Sequence, residues 1–336
     1  MSTETNLNLN NVANTGNTGA IAQGAGAYLE PGLIRALVLV PVSDSSIPAT
    51  AMVSQAAFAA YVNAKFVADN RQDRWFMFGN LDGFKDDTKK TSSEDTGVFQ
   101  TQVFKYAPKY SFRYMTGMGN FQEALQFNNC QSKYNFYWID SNGAWNGWAN
   151  LNGDGALNAY TLYQLFVNDI GRTTDKTLNQ YMIDVQAKNR EQYNEQFAYF
   201  AANFDFDAVA MLQNVWMQDV SDVLHTPLST DTDTQRVVTI KYNQYASDFI
   251  QAYQGVLTAG CFTAFNLTSG TTQAIATVTF GEIVVSNQTY YYALITFTTN
   301  PSGDVRISLA APSVVNGVIP NANVVCEKQN AAIVTF

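Results

Sequence analysis

His225 is the only histidine in 336 residues, so any Ser–His–Asp or Cys–His relay would have to run through it. It lies in Val223-Leu224-His225-Thr226-Pro227, beside a polar linker, where a surface or capping role is expected. Cys130, Cys261 and Cys326 are an odd number without CxxC spacing, which argues against a disulfide framework or a zinc site and for buried free thiols. Asn150-Leu151-Asn152-Gly153-Asp154-Gly155 opens like a calcium loop, with oxygen ligands at alternate positions and Gly sixth. Its twelfth position is Thr161 rather than the bidentate Glu, so a plain turn is expected there. Asp205 with Asp207, or Asp140, would be the carboxylates of a glycoside hydrolase. Two Asp on one face of a strand are more often a solvated face. GxSxG, HExxH and phosphate-cradling glycine loops are missing from the chain. No catalytic, cofactor-binding or metal-binding residue is therefore assigned, no cofactor is expected, and the chain reads as a non-enzyme.

What the chain has in quantity is aromatic residues, 18 Tyr, 22 Phe and 5 Trp, many at alternating positions. Only 14% of residues are charged, against roughly 25% in an average soluble protein. Neutral surface can be buried between subunits without stranding charges. The net charge of −9, with 19 Lys and Arg in no basic run, argues against specific or strong phosphate-backbone binding. The opening MSTETNLNLNNVANTGNTG carries no Lys or Arg and no apolar h-region, so no signal peptide is expected. No apolar run nears the roughly 18 residues of a membrane span, so no membrane anchor is expected. Asn266-Leu267-Thr268 and Asn287-Gln288-Thr289 fit glycosylation sequons and are taken as chance matches in a chain without a secretory signal.

The elements that would carry these residues follow from periodicity. Residues 1–27 are largely Asn, Thr, Gly and Ala, with too little apolar surface to fold alone, and are expected to be a mobile arm or one that orders only against a neighbour. A buried strand from Leu33 stops at Pro41, and a short helix follows between Ala51 and about Asp69. Residues 74–79 read as a strand and 80–97, NLDGFKDDTKKTSSEDTG, as a long hairpin loop. Tyr110, Phe112 and Tyr114 alternate with Ser111, Arg113 and Met115. Asn120 would cap a helix through Phe121, Ala124, Leu125 and Phe127. Lys133 to Asp140 alternates again, turns at Ser141-Asn142-Gly143, and returns through Trp145 and Trp148.

Further strands are expected near 180–187 and 196–207, then a short apolar segment at 208–220 and a Thr/Asp linker at 231–233. Strands at 236–242, 274–285, 290–298, 305–309 and 323–336, with a helix between Tyr245 and Gly260, suggest an immunoglobulin-like β-sandwich. The fold class is thus mainly β with minor α: a flexible arm 1–27, a β-sandwich or barrel domain 28–230 with short helices, and a sandwich 236–336. Amide-rich strands with few charges invite pairing at open edges, so such a chain either covers its edges or uses them.

The order of arm, strand–helix pair, long polar loop, aromatic strands and appended sandwich resembles a tail tube protein of tailed bacteriophages, in the form with a C-terminal immunoglobulin-like domain. Two stretches, Lys133-Tyr134-Asn135-Phe136-Tyr137-Trp138-Ile139-Asp140-Ser141-Asn142-Gly143 and Asp304-Val305-Arg306-Ile307-Ser308-Leu309-Ala310-Ala311-Pro312-Ser313-Val314-Val315, resemble virion proteins of phages of Bacteroidetes hosts. The resemblance covers 28–336 loosely. It implies self-association into hexameric rings stacked as a tube, located in the virion tail and assembled in host cytoplasm beside other tail proteins. The acidic lumen would pass genomic DNA without specific binding. Loop 80–97 would make contacts between subunits or rings, and the sandwich would decorate the outside. Alternatives are a capsid, head-decoration or connector protein, or a carbohydrate-binding or adhesive module using Tyr290-Tyr291-Tyr292 and the Trp-rich hairpin 138–148.

Overall fold

A computed structural model describes residues 7–9, 33–88, 92–95, 100–104, 107–115, 124–149, 155–168, 180–194, 196–202, 204–205, 212–220, 232–241, 249–285, 288–319 and 324–336. The protein is mainly β, with antiparallel sheets and few helices. It divides into two compact units, Met1–Phe66 with Arg71–Val209, and Val67–Asn70 with Ala210–Phe336.

The first unit is layered. Its main sheet runs Leu7–Leu9, Phe197–Ala201, Ala144–Trp148, Tyr134–Asp140, Ile34–Pro41, Phe76–Phe78, all antiparallel. A second sheet runs Leu162–Val167, Gln180–Ala187, Lys109–Met115, Leu81–Asp86. Alternation along Ile34–Pro41 and Tyr134–Asp140 serves two cores at once. Leu37, Leu39, Phe136 and Trp138 face the second sheet, meeting Phe112, Leu165, Ile183 and Val185. Val38, Val40, Tyr137 and Ile139 face the helix Gln55–Phe66, meeting Phe58, Val62 and Phe66. Those three helical residues recur every four positions, which puts one stripe of the helix on the sheet. Burial on both faces is why these central strands carry apolar residues on both sides, aliphatic in Ile34–Pro41 and mainly aromatic in Tyr134–Asp140.

Three expectations need correction. The polar stretch 80–97 is not a loop throughout: Leu81–Asp86 is a strand paired with Lys109–Met115, and Ser92–Asp95 pairs with Gln100–Phe104. Leu81 anchors the first strand in the core, while Asp82, Phe84 and Lys85 point out at a sheet margin. Gly83 takes φ of +59° where the register shifts between Asp82 and Lys85. Charge and a bulge fit such a margin, so a loop-like composition is compatible with a strand there. The strand expected over 196–207 ends at Ala201. The strand expected over 323–336 is two pieces, Val324–Val325 and Ala332–Thr335, divided by a 3₁₀ turn at Lys328–Asn330. Asn120, the expected helix cap, lies outside the described residues.

The second unit packs two four-stranded antiparallel sheets face to face. One runs Trp216–Asp219, Gln235–Lys241, Gln288–Phe297, Ile275–Val285; the other runs Thr271–Gln273, Phe262–Asn266, Asp304–Leu309, Ala332–Thr335. Val238, Ile240, Ala293 and Ile295 from the first meet Phe262, Ala264, Val305, Ile307 and Val334 from the second. Helices Phe249–Tyr253 and Pro312–Val318 close this core with Phe249, Ile250 and Val315. Trp216–Asp219 is hydrogen-bonded to Gln235–Lys241, so the sheet already includes residues before the Thr/Asp linker.

Among the described residues no helix is long and apolar enough to cross a membrane.

Candidate functional site

The residues capable of chemistry are dispersed or already engaged. His225, Asn150–Asp154, Asp207 and Asn287 lie outside the described residues. Asp140 is buried, and its Oδ1 accepts the backbone N–H of Asn142 at 2.8 Å and of Ala144 at 3.0 Å. This fixes the turn in which Gly143 takes φ of +70°. Phe204 donates its N–H to the Gly143 carbonyl at 3.0 Å, so the exposed Asp205 borders the same turn. At the calcium-loop remnant, Gly155 has φ of +74° and the Thr161 N–H donates to Gln192 Oε1 at 3.0 Å. Among the described residues no group of three or more His, Cys, Asp or Glu is placed to hold a metal ion.

The three thiols are free and fall in two cores: Cys130 lies between the sheets of the first unit, while Cys261 is in the core of the second and the half-buried Cys326 packs against it. Burial pushes Cys130 and Cys326 up to about 12, which keeps both as protonated thiols at neutral pH. The tryptophans of the 138–148 hairpin are structural. Trp138 packs on Phe112 at 5.0 Å, Trp145 on Phe58 at 5.3 Å, and Trp148 Nε1 donates to the Ala159 carbonyl at 2.8 Å. Two of them are fully buried and offer no platform to a sugar. Asn266 of the first sequon is also buried; its Nδ2 donates to Ser302 O and its Oδ1 accepts the N–H groups of Thr268 and Ser269.

What the fold leaves open is sheet margin. Ile275–Val285 is eleven residues long and pairs residue for residue with Gln288–Phe297, from Thr277 opposite Thr296 to Val285 opposite Gln288. It ends its sheet, with no strand on its other side among the described residues. Beyond the hairpin, Gln235–Lys241 pairs with Ala293–Thr296 only. The distal half, Gly281–Val285 with Gln288–Tyr292, therefore extends as a two-stranded ribbon past the ladder beside it. The sequence explains its length: eight of the eleven residues are β-branched or aromatic, and Glu282 is the only charge.

The two faces of this ribbon differ. Val278, Phe280 and Tyr291 pack against the core, and the same face continues outward to Glu282 and Val284, the latter 63% exposed. The other face carries Thr279, Gly281, Ile283, Tyr290 and Tyr292. Lys241 Nζ stands 5.8 Å from the Tyr290 ring centre, and Gln251 Nε2 donates to the Tyr291 hydroxyl at 3.1 Å. Natural edge strands are usually guarded by Lys, Pro or bulges. Here a single register shift between Ile275 and Thr277 is present, and neither Lys, Arg nor Pro occurs in the strand.

The first unit offers a shorter margin of the same kind. Leu162–Val167 buries Leu162, Leu165 and Val167 while leaving Tyr163 and Phe166 exposed. Phe166 joins Lys109, Gln164, Asp184 and Gln186 around a small polar depression of about 60 Å³.

Sequence reasoning found the strand 274–285 but assigned it no role of its own. The overlooked signal was its length, nearly twice that of a usual strand, with a single carboxylate.

Compared with known proteins, the chain matches no family model and no curated protein.

Proposed function

We propose that this chain is a structural subunit of a bacteriophage virion, the tail tube protein, assembling into stacked hexameric rings around an acidic lumen through which DNA passes without specific binding. The observation that carries the assembly half is the strand Ile275–Val285, eleven residues with one charge, which ends its sheet among the described residues. Unpaired N–H and C=O groups along such a strand are a template for another chain. The exposed Tyr163 and Phe166 on the margin of the first unit add apolar surface of the same use.

The virion half rests on the resemblance carried by 133–143 and 304–315. Two features support it. The strand order of the second unit, with 216–219, 235–241, 288–297 and 275–285 in one sheet and 271–273, 262–266, 304–309 and 332–335 in the other, follows the order of immunoglobulin-type sandwiches. The net charge of −9 suits a surface past which nucleic acid moves without adhering.

Negative-stain microscopy and sedimentation velocity over a range of concentrations test this reading. Rings or tubes about ten nanometres wide or less are expected from six domains of this size. Monomers at every concentration would overturn it, and closed shells would move the chain to the capsid.

A further inference from the structure

We infer that the strand Leu7–Leu9 is exchanged between copies: each copy seats it on the margin Phe197–Ala201 of the next, head to tail around a ring. This deepens the assembly reading and rests on it. The occupant of that margin is given by the fold itself. Leu7 lies opposite Phe200, Asn8 opposite Tyr199 and Leu9 opposite Ala198, and Leu7–Leu9 ends the main sheet. What is inferred is the copy that supplies it.

Topology argues for a neighbour. Three strands, Phe197–Ala201, Ala144–Trp148 and Tyr134–Asp140, stand between Leu7–Leu9 and Ile34–Pro41. Four successive antiparallel pairings make the first and last of these five strands parallel, with Leu7, Phe200, Trp145, Ile139 and Ala36 level across the sheet. One chain forming both strands must carry residues 10–32 back over a sheet face. Such a crossover takes a dozen residues or more and is usually a helix. Both faces are already covered at the sheet centre, by the second sheet over Trp138 and by Gln55–Phe66 over Tyr137. The 23 residues available hold five Gly, and their large apolar residues, Val12, Ile21, Tyr28 and Leu29, follow no helical spacing. They bring no apolar stripe to lay on either layer.

Length fits the exchange. Leu7–Leu9 is four strand spacings from Ile34–Pro41, roughly 19 Å at about 4.8 Å each. The 23 residues between them reach at most about 80 Å. Two first units touching in a ring have centres roughly 40 Å apart, given a radius of gyration of about 17 Å for roughly 200 residues. The surplus covers that distance, and rungs made with the next copy need no route over a covered face. Exchanging an identical element costs little, because the same rungs form either way. A head-to-tail contact of this kind closes into a ring and keeps every Phe197–Ala201 margin paired.

The test uses the full chain with Asn8→Cys, its introduced thiol carrying a photoreactive group. Cys130, Cys261 and Cys326 stay unlabelled, the first two because they are buried and Cys326 because its thiol is held protonated. The labelled chain is assembled in an excess of heavy-isotope parent, irradiated and mapped by mass spectrometry. Exchange predicts cross-links from position 8 to 197–201 of heavy copies, and their loss on dilution. Tyr199→Cys carrying the same group reverses the direction and should mark 7–9 of heavy copies. Cross-links confined to the light chain, or landing elsewhere, overturn the exchange. If rings or tubes are seen by microscopy in that case, the assembly reading stands; if only monomers are seen at every concentration, both fall.

Discussion

Tyr292 lies across Gly281 on the outer face of the projecting hairpin, with its hydroxyl oxygen 2.6 Å and its Cζ 2.7 Å from where a Cβ on residue 281 would stand. The two residues are direct cross-strand partners. The absence of a side chain at 281 is what lets the ring lie down against backbone. Gly281→Ala should swing the half-buried ring outward and cost less than the roughly 1–3 kcal/mol of an overpacked core, because the atoms in the way are the free end of the Tyr292 side chain. The double variant Gly281→Ala with Tyr292→Ala should recover part of that loss. Denaturant titration of the parent, Gly281→Ala, Tyr292→Ala and the double variant measures the coupling; strict additivity would mean that the contact does not matter.

Asp140 holds its hairpin by accepting two backbone N–H groups from a buried position. Replacing it with Ala leaves both donors without that acceptor in a tight turn. Asp140→Ala should destabilise the first unit by roughly 1–3 kcal/mol. Asp140→Asn, which keeps an acceptor oxygen, should lose less. Thermal melts comparing the two variants decide this, and equal losses would point to charge rather than hydrogen bonding.

The parts of this fold legible in the sequence are those where one residue type had one job. Pro41 ended a strand, Asn142-Gly143 made a turn, and Phe58, Val62 and Phe66 marked a helical stripe. Lys133–Asp140 was recognisable as alternating, yet alternation could not say that both faces were buried, because Tyr137 and Trp138 are equally aromatic. Leu81–Asp86 was hidden for the opposite reason: an edge strand need bury only one residue in two, and one buried Leu with an exposed Phe, a Gly and three charges looks like loop. Phe262–Asn266 and Pro312–Val318 were missed because their five and seven residues are too short for periodicity to stand out. The candidate site was half legible. Its strand could be seen, but its place at the margin depends on which strands pair, and pairing is set by contacts distant in sequence.

Alkaline pH should unfold the protein through its buried acids. Burial raises Cys130 and Cys326 to about 12 and lifts Tyr137, Tyr160 and Tyr193 well above the ordinary phenol value. These groups ionise in the unfolded chain at about 8.5 for Cys and about 10 for Tyr. Above those values the unfolded state releases protons that the folded state retains. The stabilisation they give is thus complete below about pH 8.5 and is lost as pH rises toward 12. Phenolate absorbance near that limit should appear late and together with loss of the folded spectrum. Buried thiols should likewise stay unreactive at pH 8 until denaturant is added. Ionisation of all 18 tyrosines in a folded protein would contradict this.

Asp69 caps the helix Pro312–Val318 from far away in sequence. Its Oδ1 accepts the Ser313 N–H at 2.8 Å and its Oδ2 accepts the Ser313 hydroxyl at 2.6 Å, while Ala311 at the cap position has no side-chain acceptor. The capped helix buries Pro312 and Val315, so loosening its first turn is felt in the core of the second unit. Asp69→Ala should therefore cost about 1 kcal/mol, the usual loss for a removed cap, and lower the melting of that unit selectively. A fragment starting at Ala210 lacks the cap altogether and should melt below the same unit in the full chain. If the fragment and the unit in the intact protein melt together, the capping contact contributes nothing, and Val67–Asn70 is no functional part of the second unit.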